Sequence, residues 1–297
     1  MHVAIIGLGL IGGSIALALK QLDKPGWEVV GYARRTEVAS IALSLGVVDK
    51  VETNFKEALK GAELDIIASP VLTIREILFQ IANHLPHGCI VTDTASSKLQ
   101  VMKWAEELLP STVDFIGGHP MAGKETYGIQ AAQANLFQGC IYCLTPAKET
   151  SPHSIGKVEN MVRKIGSTPF FVDAQEHDNL VAGISHLPML LSAALVSATA
   201  KDPSWHEMSK LAASGYRDLT RLALGNPQVN AHVCLTNQVA ILRWIDKFAE
   251  ELDRYRQLVT SGDKKLEEAL VEANKARQEW LSKFAASPQK GDRGENE

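Results

Sequence analysis

His119 stands in Ile116-Gly-Gly-His-Pro-Met-Ala-Gly123, where the imidazole is the one side chain able to exchange a proton near neutrality. A neutral imidazole there can take a proton from a hydroxyl while a hydride leaves the same carbon. The glycines and Pro120 predict a turn in which backbone and ligand approach closely. A second segment, Val91-Thr-Asp-Thr-Ala-Ser96-Ser97-Lys98, offers the Ser96 hydroxyl, which can serve a ligand or cap the helix that follows. A third, Ile184-Ser185-His186-Leu187-Pro188-Met189, offers Ser185 and His186, the latter equally able to satisfy a backbone carbonyl beside the proline. In Ser214-Gly-Tyr-Arg217-Asp-Leu-Thr-Arg221, the two guanidinium groups are four residues apart and share a face at helical spacing. Together these groups suit oxidation of an anionic alcohol. Singly none decides, since a loop histidine is as readily a solvated one.

Such chemistry needs a hydride acceptor, and the N-terminus carries a site for one. Strand Val3–Ile6 runs into Gly7-Leu8-Gly9-Leu10-Ile11-Gly12, the GxGxxG turn between a strand and a helix that lays a pyrophosphate on the helix N-terminus. An NAD-binding fold places Asp or Glu at the end of the second strand to hold the ribose 2′-hydroxyl. Here Glu28-Val-Val-Gly-Tyr is followed by Ala33-Arg34-Arg35, so no carboxylate is present and two guanidinium groups are placed to pair with a 2′-phosphate. NADP is therefore expected over NAD, the alternative being an exposed arginine pair without a ligand. Cofactor contacts are expected at Gly7, Gly9, Leu10, Ile11, Gly12, Arg34, Arg35 and Ser69.

The elements that must position these groups change character along the chain. Strands are predicted at Val3–Ile6, Glu28–Gly31, Leu64–Ala68, Ile90–Asp93, Asp114–Gly117, Ile141–Thr145 and Pro169–Val172, with helical patterns between several of them. That alternation predicts a mostly parallel sheet covered on both faces. After Asp173 the strand signals stop, and Asp173 with Glu176 has the form of a capping box opening a helix. Helices continue to about Ala285, with breaks near Pro203 and at Gly225-Asn226-Pro227. The fold class is an α/β Rossmann-type N-terminal domain, residues 1–173, followed by an all-α domain, 174–285, for substrate and dimerisation. Residues 286–297 are polar and expected to be disordered. The segment Val229 to Phe248 reads as one broadly apolar helix of the kind buried across a two-fold interface, so a homodimer is expected.

Bulk properties narrow the class. The chain has 297 residues, 45% hydrophobic and 22% charged, with a formal net charge of −4, so no general attraction to nucleic acid or anionic lipid is expected. Four cysteines do not make a disulfide framework. Cys140 and Cys143 form a CxxC, but in a strand this spacing points the thiols to opposite faces, and no second pair completes a metal site. His206-Glu207 opens an HExxH pattern that Lys210 breaks, so no metal is expected. Met1 leads straight into an apolar strand without a basic leader, and Leu180 to Ala200, though bilayer-length, contains Ser185, His186, Pro188 and Ser192. A buried helix, no membrane and a cytoplasmic location are expected.

Taken together, Gly-Leu-Gly-Leu-Ile-Gly-Gly-Ser, Val-Thr-Asp-Thr-Ala-Ser-Ser-Lys, Phe-Ile-Gly-Gly-His-Pro-Met-Ala-Gly, Ile-Ser-His-Leu-Pro and Ser-Gly-Tyr-Arg-Asp-Leu-Thr-Arg resemble the prephenate/arogenate dehydrogenases of tyrosine biosynthesis. The resemblance spans Val3 to about Arg221, with the later helices fitting the family's dimerisation domain. It implies that His119 accepts the ring hydroxyl proton during hydride transfer and that Ser96 orients this histidine. It also implies that Ser185 contacts substrate and that Arg221, or second to it Arg217, pairs with a substrate carboxylate. Many prephenate-using members carry His-Leu-Pro-His, whereas this chain has His186-Leu187-Pro188-Met189. Met189 cannot donate to a keto acid side chain, which favours arogenate, with prephenate as the alternative substrate. Hydroxyacid or hydroxyacyl dehydrogenases would need a catalytic Lys or His/Glu pair in the helical half, and a non-catalytic NADP sensor would have no use for converging Ser96, His119 and Arg221.

Overall fold

A computed structural model describes residues 1–22, 26–124, 126–262 and 264–284. The tail expected to be disordered, 286–297, lies outside them. The strands are β1 (His2–Ile6), β2 (Glu28–Tyr32), β3 (Lys50–Glu52), β4 (Leu64–Ile67), β5 (Ile90–Asp93), β6 (Asp114–Pro120), β7 (Ile141–Pro146) and β8 (Thr168–Phe171). Helices of the first half are α1 (Leu10–Lys20), α2 (Thr36–Ser44), α3 (Phe55–Ala58), α4 (Val71–Ile81), α5 (Leu99–Leu108) and α6 (Pro152–Lys164). The second half contributes α7 (Ala174–Val181), a π-helical turn (Ala182–His186), α8 (Leu187–Ala200), α9 (Trp205–Leu211) and α10 (Ser214–Thr220). A 3-10 turn (Arg221–Leu224), α11 (Pro227–Thr236), α12 (Gln238–Ser261) and α13 (Lys265–Phe284) complete it.

The strands form one sheet in the order β3-β2-β1-β4-β5-β6-β7-β8. All neighbours are parallel except β6 and β7, which run antiparallel with His119 opposite Cys143. The order 3-2-1-4-5-6 is that of a dinucleotide-binding fold, whose ligands sit beyond the carboxyl ends of the strands at the β1–β4 switch point. The central strands read as continuous apolar runs because both faces are covered. Val3, Ile5, Leu64, Ile66, Ile90 and Ile116 pack on one side, and Ala4, Ile6, Ile67 and Val91 on the other. β3 was not foreseen; a three-residue edge strand bearing Lys50 and Glu52 has no apolar run to reveal it.

Two compact units are present, residues 1–241 and 242–297. The first includes the sheet and the helices through α11. Asp173 caps α7 as the spacing predicted, accepting from the Glu176 N–H at 2.9 Å. In the second unit, Tyr255 donates to the Ala269 carbonyl at 3.4 Å, tying the α12 segment to α13.

Two expectations for the helical half change. The apolar segment from Val229 to Phe248 is not one helix: it breaks at Asn237, whose φ of −129° and ψ of 36° leave helical geometry between α11 and α12. The cause is a buried hydrogen-bonding demand, since Asn237 Nδ2 donates to the Asp178 carbonyl at 2.8 Å. The stretch expected to be a buried helix is only partly covered within one chain, with Leu180 47% and Ile184 73% exposed. The run Ala174–Ala200 is long and apolar enough by composition to cross a membrane. Yet its inward face carries His177, Asp178 and His186, all buried, which fixes it to a globular core.

Candidate active site

The cofactor end is built by the turn after β1. Gly7 has φ +106°, and a Cβ there would meet the Ala68 carbonyl oxygen at 2.4 Å. Gly12 likewise admits no side chain, a Cβ meeting the Gly7 carbonyl at 2.1 Å, so glycines at these two positions let α1 close on the strands. Gly9 serves a different end: nothing lies within 4 Å of its Cβ position, so the space in front of α1 is open. Gly9 is the N-cap without a side-chain cap, and the first turn holds no acid, so the Leu10, Ile11 and Gly12 N–H groups face that space without intrahelical acceptors. Beside it, after β4, the buried Ser69 hydroxyl has no hydrogen-bond partner among the described residues. An open helix N-terminus and an orphaned hydroxyl fit a pyrophosphate-bearing cofactor. Arg34 and Arg35, just beyond β2, are exposed. Neither makes an ion pair among the described residues.

His119 lies in β6 itself, which continues through Pro120, and not in a turn. Nor do its glycines clear space for a ligand. A Cβ on Gly117 would meet Met102 Sδ at 2.9 Å and Lys98 Cδ at 3.1 Å, and one on Gly118 the Asp93 carbonyl at 2.4 Å. Gly117 makes room for Lys98, and Gly118 lets β6 close on the end of β5. The Lys98 and Asp93 side chains are both fully buried and form an ion pair, and Lys98 Nζ also donates to the Gly118 carbonyl at 2.7 Å. Asp93 accepts from the Gly118 and Ala95 N–H groups at 3.0 and 2.9 Å. Burial pulls the Lys98 ammonium below the usual lysine value, against the attraction of Asp93. This pair fastens the end of β5 to β6 and so fixes the backbone that carries His119.

His119 is 6% exposed, so it is not the solvated loop histidine that its sequence left open. Its Nδ1 lies 2.9 Å from His177 Nε2, and His177 Nδ1 lies 2.8 Å from Asp178 Oδ1. Asp178 is itself held by two backbone donors, Lys98 N–H at 2.7 Å and Leu99 N–H at 3.0 Å. These are the first donors of α5, whose N-cap is Lys98, so Asp178 caps that helix and Ser96 does not. The Ser96 hydroxyl is thus released from the structural role that its sequence allowed. Burial holds the His119 imidazole well below its ordinary pKa, with the neighbouring His177, Lys98 and His186 pushing the same way. His119 is therefore a neutral ring at pH 7, and its Nε2 makes no hydrogen bond to any described residue.

His186 serves the scaffold. Its Nδ1 sits 3.2 Å from Asn237 Nδ2, and it lies against the Ser96 backbone; burial pushes its pKa down to about 4. Ser185 precedes it in the π-helical turn and is half-buried. Arg217 and Arg221 are exposed, on α10 and at the start of the 3-10 turn, and the hydrogen-bonded network around His119 does not include them. That turn is packed on α8, where the buried Ser192 hydroxyl accepts from the Ala223 N–H at 2.9 Å. The four cysteines are free thiols, and of the CxxC pair only Cys143 lies within β7. Among the described residues no cluster of three metal-ligating side chains occurs.

Family comparisons match this arrangement in both halves. The family model for "Prephenate dehydrogenase, nucleotide-binding domain" matches residues 15–169, and that for "Prephenate dehydrogenase, dimerization domain" matches residues 173–276. The chain belongs to the prephenate dehydrogenase family. It is 37% identical to the prephenate dehydrogenase of Bacillus subtilis over 88% of this chain and 71% of that one. It is 32% identical to the cyclohexadienyl dehydrogenase of Zymomonas mobilis over 93% of this chain and 94% of that one. Among solved structures, Synechocystis arogenate dehydrogenase superposes with a TM-score of 0.80 at 31% identity, covering 94% of this chain and 100% of that chain. Prephenate dehydrogenase from A. aeolicus, in complex with hydroxyphenyl propionate and NAD+, superposes with a TM-score of 0.87 at 29% identity, covering 94% and 98%. The protein is thus an oxidoreductase of the prephenate/arogenate dehydrogenase family, with a nicotinamide cofactor and a Rossmann half joined to a helical one.

Proposed function

We propose that the protein oxidises arogenate to tyrosine and CO2 with NADP, using His119 as the base. The observation that carries the reading is His119 itself: a buried, neutral imidazole at the carboxyl end of β6, with Nδ1 engaged and Nε2 without a protein partner. The glycine turn, the open face of α1 and the Ser69 hydroxyl would hold the cofactor's pyrophosphate end, with Arg34 and Arg35 at the 2′-phosphate. When bound, the nicotinamide supplies the hydride acceptor. His119 Nε2 takes the ring hydroxyl proton as the C–O bond becomes a carbonyl. Loss of CO2 from the quaternary carbon restores the aromatic ring, and the phenol oxygen takes a proton back. Ser96 orients His119 and the nicotinamide end of the cofactor, Ser185 contacts substrate from the π-helical turn, and Arg221, seconded by Arg217, pairs with a substrate carboxylate.

Met189, one turn beyond Ser185 at the start of α8, supports arogenate because a thioether offers no donor to a keto acid. A second reading, prephenate with NAD, is favoured by the similarity to the Bacillus prephenate dehydrogenase and to the A. aeolicus prephenate dehydrogenase in complex with NAD+. Initial rates with arogenate and prephenate, each with NADP and NAD, separate the two. The arogenate–NADP pair is expected to give the highest kcat/KM; a higher value for prephenate with NAD would establish the second reading.

The same reading places the functional boundary at residues 173/174 and the protein in the cytoplasm as a homodimer. Exposed apolar side chains on the helices support the dimer, Leu235 being 56% and Val239 85% exposed.

A further inference from the structure

We propose that His177 and Asp178 are positioning residues for His119: they fix its tautomer with the proton on Nδ1 and take over the charge when Nε2 is protonated. This rests on the reading of His119 as the base.

The geometry sets the order of donors. A carboxylate only accepts, and Asp178 takes two backbone N–H bonds at the N-terminus of α5. His177 Nδ1 then donates to it across 2.8 Å, which leaves the lone pair of the His177 ring on Nε2. His119 Nδ1 donates to that lone pair across 2.9 Å, so the free lone pair of His119 falls on Nε2, the atom left without a protein partner. Both rings are buried and the contact is edge-on, with centroids 5.1 Å apart, so neither can flip without breaking the chain of bonds.

When Nε2 gains the substrate proton, the Nδ1 proton of His119 can move to His177 Nε2. One N–H bond forms at each ring and one breaks at His119, and the positive charge comes to rest on His177 beside Asp178. The alternative, a charge held on His119, would sit among groups that oppose it. Among the described residues, the titratable groups around His119 are Asp93 at the end of β5, Lys98 at the N-cap of α5, Cys143 opposite it on β7, His186 from the π-helical turn, and His177 with Asp178 from α7. Lys98 and Asp93 are already paired with each other. Among these groups Asp178 is the carboxylate left to balance a charge on the histidine pair.

The test has two parts. In cofactor-free protein with histidine-selective 15N labelling, the His119 resonances, identified with His119→Asn, should show the proton on Nδ1. A proton on Nε2 would overturn the proposal. In the enzyme, His177→Gln keeps an acceptor for the His119 Nδ1–H but cannot carry the proton. Its kcat should fall at least ~10-fold while KM stays within ~3-fold. Asp178→Asn should lower kcat in the same way. If His177 only fills space and accepts a bond, Gln will restore the wild-type kcat, and that result would also overturn the proposal. If neither variant folds, the tautomer in the unaltered protein decides. Retention of activity by His119→Asn would instead remove the base assignment, leaving the two failures distinguishable.

Discussion

Replacing Lys98 by Met probes the buried pair that carries the catalytic strand, and its cost can be worked from the contacts. Met matches the length of the lysine stem but has no donor, so Asp93 loses its counter-ion while both positions remain fully buried. Removing one partner of a buried pair costs about 3–5 kcal/mol, and losing the donor to the Gly118 carbonyl adds about 1 kcal/mol. Asp93 keeps the Gly118 and Ala95 N–H groups, which holds the total near the low end, about 3 kcal/mol. For a domain of this size that is a fall in Tm of roughly 6–12 °C, read by thermal denaturation of the cofactor-free protein. The same substitution removes a cation that depresses His119, so the acidic limb of kcat/KM should rise. Lys98→Met combined with Asp93→Asn should cost less than the sum of the single changes, since neither charge is then left alone. A single variant within about 0.5 kcal/mol of wild type, as for a surface site, would refute the buried-pair reasoning.

Arg34→Ala should lower kcat/KM for NADP by at least ~10-fold and leave NAD within ~2-fold, because a charge-assisted bond contributes about 1.5–3 kcal/mol; equal losses with both cofactors would detach Arg34 from the 2′-phosphate. Light scattering at micromolar protein should give twice the chain mass, and a monomer there would leave the exposed apolar side chains of α11 and α12 unexplained. Stability should fall as pH drops from about 6.5 toward 4. His186 is buried neutral with its pKa pushed down to about 4, so over that window the unfolded chain binds more protons than the folded one. His186→Asn should flatten this slope in urea titrations and cost far less in kcat than His119→Asn; an unchanged slope would mean that other groups set it.

Much of the cofactor half is written locally. The Gly7–Gly12 turn, the apolar central strands and the absence of a carboxylate after β2 are each contained within a few consecutive residues, so spacing alone exposes them. His119 and Ser96 were legible as residues but not as geometry. Whether Gly117 and Gly118 face a ligand depends on Lys98 and on the Asp93 carbonyl, which lie about twenty residues away in sequence and fill the space themselves. The Asp178 cap on α5 joins residues 80 apart, and the Asn237 bond to Asp178 joins residues 59 apart. No local pattern encodes such pairings. A signal was nonetheless present. His177, Asp178 and His186 share the buried face of the α7 segment with Val181 and Ala182, and polar groups on an otherwise apolar stripe must find partners. The break at Asn237 was hidden for the same reason, because the apolar pattern runs through it while its side chain answers a carbonyl on another helix.

The measurement that bears most directly on the base assignment is single-turnover chemistry in His119→Asn, with cofactor affinity followed separately. Affinity for the cofactor should stay within ~2-fold of wild type while the chemical step slows by roughly 10²–10⁴, the range expected when a positioned general base is removed. A chemical step near the wild-type rate would contradict it and leave His119 as a buried structural residue.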